Sequence, residues 1–237
     1  MNVDNAADEY VRWPPYSFGM NNPIFFIDPD GQRIKIGDHY YSYEKDRDYD
    51  AIEDEFERNT YKAIDQLYSS DTMNITIGEG ENAETINVLD VLINDKDNDV
   101  TIVKGESNKY DPNTDTVKFK DTHGAYFRKD AGKAYGNGNT GRNSASSLLA
   151  HELIHNYNDV HDNKNYRKRK ADKSTKKEGL KTPKGADLSF SNAEEKYTIT
   201  LTNQVNEKLK QDKRTNYGRG YYPTESPTTT EPKKKKQ

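Results

Sequence analysis

The sequence predicts an α+β protein: a small antiparallel sheet packed with a central helix over about residues 143–160 and with further helices. Three observations lead there. Four stretches, "MNITIG" (73–78), "DVTIVKG" (99–105), "DTVKFKD" (115–121) and "GAYFRK" (124–129), alternate apolar and polar residues between Gly, Asn and Asp. That period of two is the mark of half-buried strands. Residues 44–70 and about 192–211 instead carry apolar side chains at helical spacing. Between them, "NSASSLLAHELIHNYNDV" has a polar start and a helical apolar pattern, with Asn143 or Ser144 as the capping residue.

Taken in order, residues 10–31 contain four of the nine prolines and two turn signals, and read as short strands and turns. The helix of residues 44–70 directs Ile52, Phe56, Ala63, Ile64 and Leu67 to a core. The glycine-rich "GNGNTGRN" (136–143) invites a phosphate-loop reading, but no Lys-Ser/Thr follows its last glycine and no apolar strand leads into it, so it reads as a plain loop. Residues 162–187 carry ten Lys or Arg and few apolar residues, which predicts a solvated, flexible excursion. The Pro, Thr and Lys of "YYPTESPTTTEPKKKKQ" predict a flexible tail over 216–237.

Composition bounds the chemistry. Of 237 residues 31% are hydrophobic and 32% charged, and mean hydropathy is −1.20, so the core is small for the length and both ends are expected to be disordered. The absence of cysteine excludes disulfides and thiolate ligands, leaving His and carboxylate for any metal site. The acidic start lacks an apolar segment, and the longest purely apolar run is "IFFI" (24–27), so neither a signal peptide nor a membrane span is expected.

The chemistry concentrates in "LLAHELIHNYND" (148–159). With about 100 degrees between successive side chains, Leu149, Ala150, Leu153, Ile154 and Tyr157 share one face. His151 and His155 lie one turn apart on the other, with Glu152 at its edge. Two imidazoles so placed can occupy two corners of a zinc tetrahedron, and Glu152 can take the proton of an attacking water. A lone histidine on a helix is usually a surface or satisfied core residue. His39, His123 and His161 have that ordinary setting, His161 falling where the helix ends.

A catalytic zinc normally has three protein ligands, so a third must come from elsewhere. Glu194 and Glu195 open the downstream helix. Ser191 and Glu194 form a capping-box pattern, yet helical phase points Glu194 inward with Tyr197, Leu201, Val205 and Leu209, leaving Glu195 at the stripe's edge. Phase alone therefore leaves either glutamate as the ligand. Arg214 and Tyr217, in Arg-x-x-Tyr, could donate hydrogen bonds to an oxyanion, with Tyr221 and Tyr222 as substitutes.

Two stretches resemble known families. "YSFGMNNPIFFIDPDG" (16–31) resembles the closing segment of the RHS-repeat-associated core, in which a repeat shell is followed by a variable toxin domain. "HELIH" (151–155) followed by "EEKYT" (194–198) is similar to clostridial neurotoxin light chains and to effector-type zinc endopeptidases of polymorphic toxins. The resemblance implies a zincin-like fold with Zn2+ as cofactor. It makes Glu195 the ligand beside His151 and His155, makes Glu194 the support of a histidine, and gives Arg214 and Tyr217 the oxyanion. It also implies an RHS-core remnant over 1–31, a metallopeptidase domain over 32–215 with the basic loop 162–187, and the tail. Such a chain would be exported on a larger RHS-type carrier, cut a protein in a target cell, and be matched by an immunity protein. The competing expectation is a binding module whose basic loop and Lys tail grip nucleic acid or an acidic surface. The scarcity of interleaved aromatics in those stretches speaks against nucleic acid.

Overall fold

The computed structural model describes residues 34–234 apart from 79, 131, 137, 178–180 and 183. The RHS-like segment lies outside the described residues. The elements are, in order, β1 (Ile34–Ile36), β2 (His39–Tyr40), α1 (Glu55–Ser69), β3 (Asn74–Ile77), β4 (Glu84–Asn87), α2 (Val88–Ile93), β5 (Val100–Lys104) and β6 (Lys109–Asp111). They continue with β7 (Thr116–Phe119), β8 (His123–Arg128), β9 (Thr140–Asn143), α3 (Ala145–His161), α4 (Asn163–Ala171), α5 (Ala193–Lys208) and β10 (Gly220–Pro223). The α+β class is as the sequence predicts.

The sheet is not. The four anticipated strands fall into three sheets: a five-stranded one ordered β2-β1-β5-β7-β6, a three-stranded one ordered β10-β8-β9, and a β3-β4 pair. The largest is mixed rather than antiparallel, with β5 parallel to both β1 and β7 and only the outer strands β2 and β6 antiparallel to their neighbours. Alternation reports which face of a strand is buried, as in β5 where Val100 and Ile102 point into the core. Strand direction is set by the connections instead, and a long one carrying α1, β3, β4 and α2 joins β1 to β5.

One face of this sheet packs with α1, α2 and α3 around a core containing Ile36, Phe56, Ile64, Leu67, Ile102, Phe119, Leu149 and Leu153. Helix α1 begins later than the sequence pattern suggested. Asp54 caps it by accepting from the Glu57 amide at 2.8 Å, so Ile52 lies before the helix. Thr60 joins the buried face by returning its hydroxyl to the Phe56 carbonyl at 2.7 Å. The glycine-rich stretch is part turn, part strand. Gly136 and Gly138 take φ of 90° and 75°, while Gly141 sits in β9 against Phe127, where an added Cβ would come within 2.5 Å of the ring.

Two segments expected to be flexible are built in. The basic stretch contains α4, which packs along α5. The C-terminal stretch contributes β10, paired with β8, and then returns to the start of α3. There the Pro227 carbonyl accepts from both the amide and the hydroxyl of Ser146, at 2.9 and 3.0 Å. Composition registers little apolar surface to bury in this stretch, but a helix N-terminus has unpaired amides to satisfy, and a tail carbonyl does it. Removing residues 225–237 is expected to lower stability by about 4 kcal/mol, near the sum of the four hydrogen bonds that Ser146, Gln66 and Tyr222 make to this stretch. Urea unfolding of the shortened chain measures this, and unchanged stability would contradict the docking of the tail. Among the described residues no helix is long and apolar enough to cross a membrane.

Candidate metal centre

Helix α3 is capped by Ser144, whose hydroxyl accepts from the Ser147 amide at 3.3 Å. It is buried on two faces: Leu149, Ala150, Leu153 and Ile154 meet the core, while Ser147, His151, Glu152, His155 and Asn158 are buried as well. What covers the polar face is α5. That helix is capped by Asn192, whose side chain accepts from the Glu195 amide at 3.0 Å, and not by the Ser191 of the capping-box reading. Asn caps at least as well as Ser, and the shift by one residue frees Glu194 of any capping task.

The two helices meet along a ladder of polar rungs. The Ser147 hydroxyl donates to Asn206 Oδ1, and His151 Nδ1 lies 3.1 Å from Thr202 Oγ1. His155 Nδ1 lies 3.2 Å from Thr198 Oγ1 and 3.4 Å from Glu194 Oε1. Asn158 donates to Glu194 Oε1 at 2.8 Å. The Thr202 hydroxyl donates to the Thr198 carbonyl at 2.8 Å, so toward His151 it accepts. Nδ1 of His151 then carries the proton and Nε2 presents its lone pair.

Both Nε2 atoms face one oxygen. Glu195 Oε2 lies 3.5 Å from His151 Nε2 and 3.3 Å from His155 Nε2, and ligand atoms of the three residues all lie within 4.8 Å of one another. Donors bound at 2.0–2.1 Å to one tetrahedral ion are about 3.3–3.4 Å apart, and the two separations from Glu195 Oε2 are close to that, so the group could hold a metal ion. Glu194, whose side chain is wholly buried, is not in the group. It is fixed by His155, Asn158, Thr198 and Arg169 of α4.

The electrostatics follow this division. Burial opposes charge on His155, but Glu194 and Glu195 outweigh it and raise the imidazole to about 9. For His151 burial wins, and its pKa is lowered. Burial also opposes charge on the two glutamates. His151 and His155 nevertheless hold Glu195 well below the carboxylate range, and His155 with Arg169 lowers Glu194.

Glu152 lies beside the group without joining it. Its Oε2 accepts from the Tyr110 amide at 2.8 Å, so the outward edge of β6 borders the site. Arg214 is buried, and its guanidinium donates to the Tyr217 carbonyl at 3.0 Å. Burial, then neighbouring Arg219, lowers Arg214 to about 9; burial, then the Glu195 charge, raises Tyr217. Of the two substitute tyrosines, Tyr222 turns away and donates to the Thr230 carbonyl at 2.7 Å. Tyr221 has the Arg219 guanidinium 5.5 Å from its ring centre. His161 pairs with Asp95 at 3.3 Å, far along the helix from the donors.

Sequence reading missed Thr202, Arg169 and Arg219. Thr202 carries a signal, because Glu194, Thr198, Thr202 and Asn206 recur every four residues as a second stripe. Nothing in the lysine-rich run around Arg169 marks it out. Fold and site together define a class: an α+β protein with a buried group of two histidines and one glutamate that could hold a metal ion. Comparison with protein-family models, curated proteins and solved structures finds no match to this chain.

Proposed function

We propose that the chain is a zinc-dependent endopeptidase of zincin-like fold, the toxic domain of a bacterial protein delivered into a target cell. The observation that carries the reading is one carboxylate oxygen set 3.3 and 3.5 Å from two imidazole nitrogens, with Glu152 beside them on the same helix. Two imidazoles and a carboxylate are a donor set suited to zinc, which when bound polarises a carbonyl and makes a water acidic near neutral pH.

The chain's own residues supply the rest. Glu152 accepts the proton of the attacking water and returns it to the leaving amine. The Tyr110 amide holds its carboxylate in place. Arg214 and Tyr217 stand by for charge on the carbonyl oxygen. The RHS-like segment supports delivery on a carrier, a target-cell protein as substrate and an immunity protein as partner.

The test is incubation of the chain with a protein mixture and detection of new N-termini. Cleavage is expected with zinc, abolished by a chelator, and restored by stoichiometric zinc. Cleavage indifferent to the chelator, or none with zinc bound, would rule the reading out.

A further inference from the structure

The ligands leave an imbalance of charge at the mouth of the site. Glu194 is matched by Arg169, and Glu152 and Glu195 are the charge a dication would meet. That leaves Arg214 and Arg219, neither of which forms an ion pair among the described residues. Arg214 Nε and Arg219 Nη1 are both buried without a hydrogen-bond partner. A buried guanidinium nitrogen without a partner is costly, and a hydrogen-bond acceptor arriving from outside would relieve it.

Strand register says where Arg219 faces. Gly220 pairs with Tyr126 and Tyr221 with Ala125, so Arg219 stands one step before β10, opposite Phe127. Ala125 and Phe127 are buried on the β8 face that packs against α3. Arg219 and Tyr221 thus share the face turned toward the metal group. Burial opposes the charge of Arg219, but Tyr221, Glu152, Tyr217 and Glu195 act on it strongly enough to raise its pKa, so it stays protonated.

Building on the endopeptidase reading, we propose that Arg219 is a specificity-determining residue that binds a carboxylate of the substrate beside the scissile bond. The planar fork of a guanidinium fits a carboxylate at two points, and lysine reproduces the charge but not the fork. The carboxylate an endopeptidase would read is that of an acidic side chain, whereas preference for a chain terminus would mark trimming of chain ends instead.

Binding to zinc-loaded protein, measured by calorimetry, separates these sources without requiring turnover. The probes are N-acetyl-glutamate α-amide, its glutamine counterpart, and N-acetyl-alanine with a free carboxylate. Wild type is expected to bind at least one carboxylate probe over the glutamine probe. Arg219→Gln should weaken that probe about 10- to 100-fold, the range of a charge-assisted hydrogen bond, with Arg219→Lys in between. Whatever affinity persists in Arg219→Gln belongs to the zinc or to Arg214. Unchanged zinc stoichiometry and melting temperature exclude a merely structural effect. Equal binding of carboxylate and amide probes, or equal affinity in wild type and Arg219→Gln, would overturn the proposal. Intact carboxylate selectivity in a protein that cleaves nothing would count against the peptidase and leave the arginine assignment standing.

Discussion

Glu152→Gln is expected to bind zinc as wild type does and, on the proposed endopeptidase reading, to lose about 10²- to 10⁴-fold in kcat/KM, the usual worth of a positioned proton acceptor. The substitution is nearly isosteric. Glutamine retains an oxygen to accept the Tyr110 amide, so the bond from β6 to α3 survives. Glu152 is not one of the three grouped donors, and their contacts with Thr198 and Thr202 do not pass through it. What disappears, on that reading, is the proposed acceptor for the proton of the attacking water. Zinc content by atomic absorption and peptide hydrolysis, measured on the same preparation, give the two readouts. A variant that cleaves as well as wild type would mean that another group does this work.

Glu195→Ala should reduce bound zinc from about one per chain to a small fraction in the presence of a competing chelator, since it removes one of three donors. Glu194→Ala should keep the stoichiometry and weaken affinity about 10- to 100-fold, because His155 loses the carboxylate that orients it. The second variant carries a separate cost. Arg169 and Asn158 lose a buried partner, and destabilisation by about 3–5 kcal/mol is expected in urea unfolding. Zinc lost in Glu194→Ala and retained in Glu195→Ala would exchange the two assignments.

How far the sequence discloses this site depends on the kind of force involved. The apolar stripe of α3 and the placement of His151 and His155 follow from the helical repeat alone. For α5, phase identified Leu201 and Val205 as buried and Glu194 as inward, all of which the structure shows. Phase could not tell that an inward glutamate supports a histidine while its slightly exposed neighbour faces the donors. That choice depends on where a second helix lies, and only the motif resemblance anticipated it. The polar stripe of α5 escaped because buried and solvated polar residues look alike until a partner is known. Sheet pairing escaped because alternation carries no direction. Tail docking escaped because carbonyl groups, which every residue has, make it.

The ladder between α3 and α5 has a consequence for folding as well as for metal binding. Apolar stripes tolerate slippage, since Leu201 and Val205 would fill a similar space one turn along. The rungs do not, because Ser147 with Asn206, His151 with Thr202, His155 with Thr198 and Asn158 with Glu194 are four different pairings in a fixed order. A slide by one turn strands a buried Asn or Glu at one end, at a cost of about 1–3 kcal/mol for each group left unsatisfied. The polar seam therefore works as an alignment key, cut so that the helices close in the one register that brings Glu195 opposite both imidazoles.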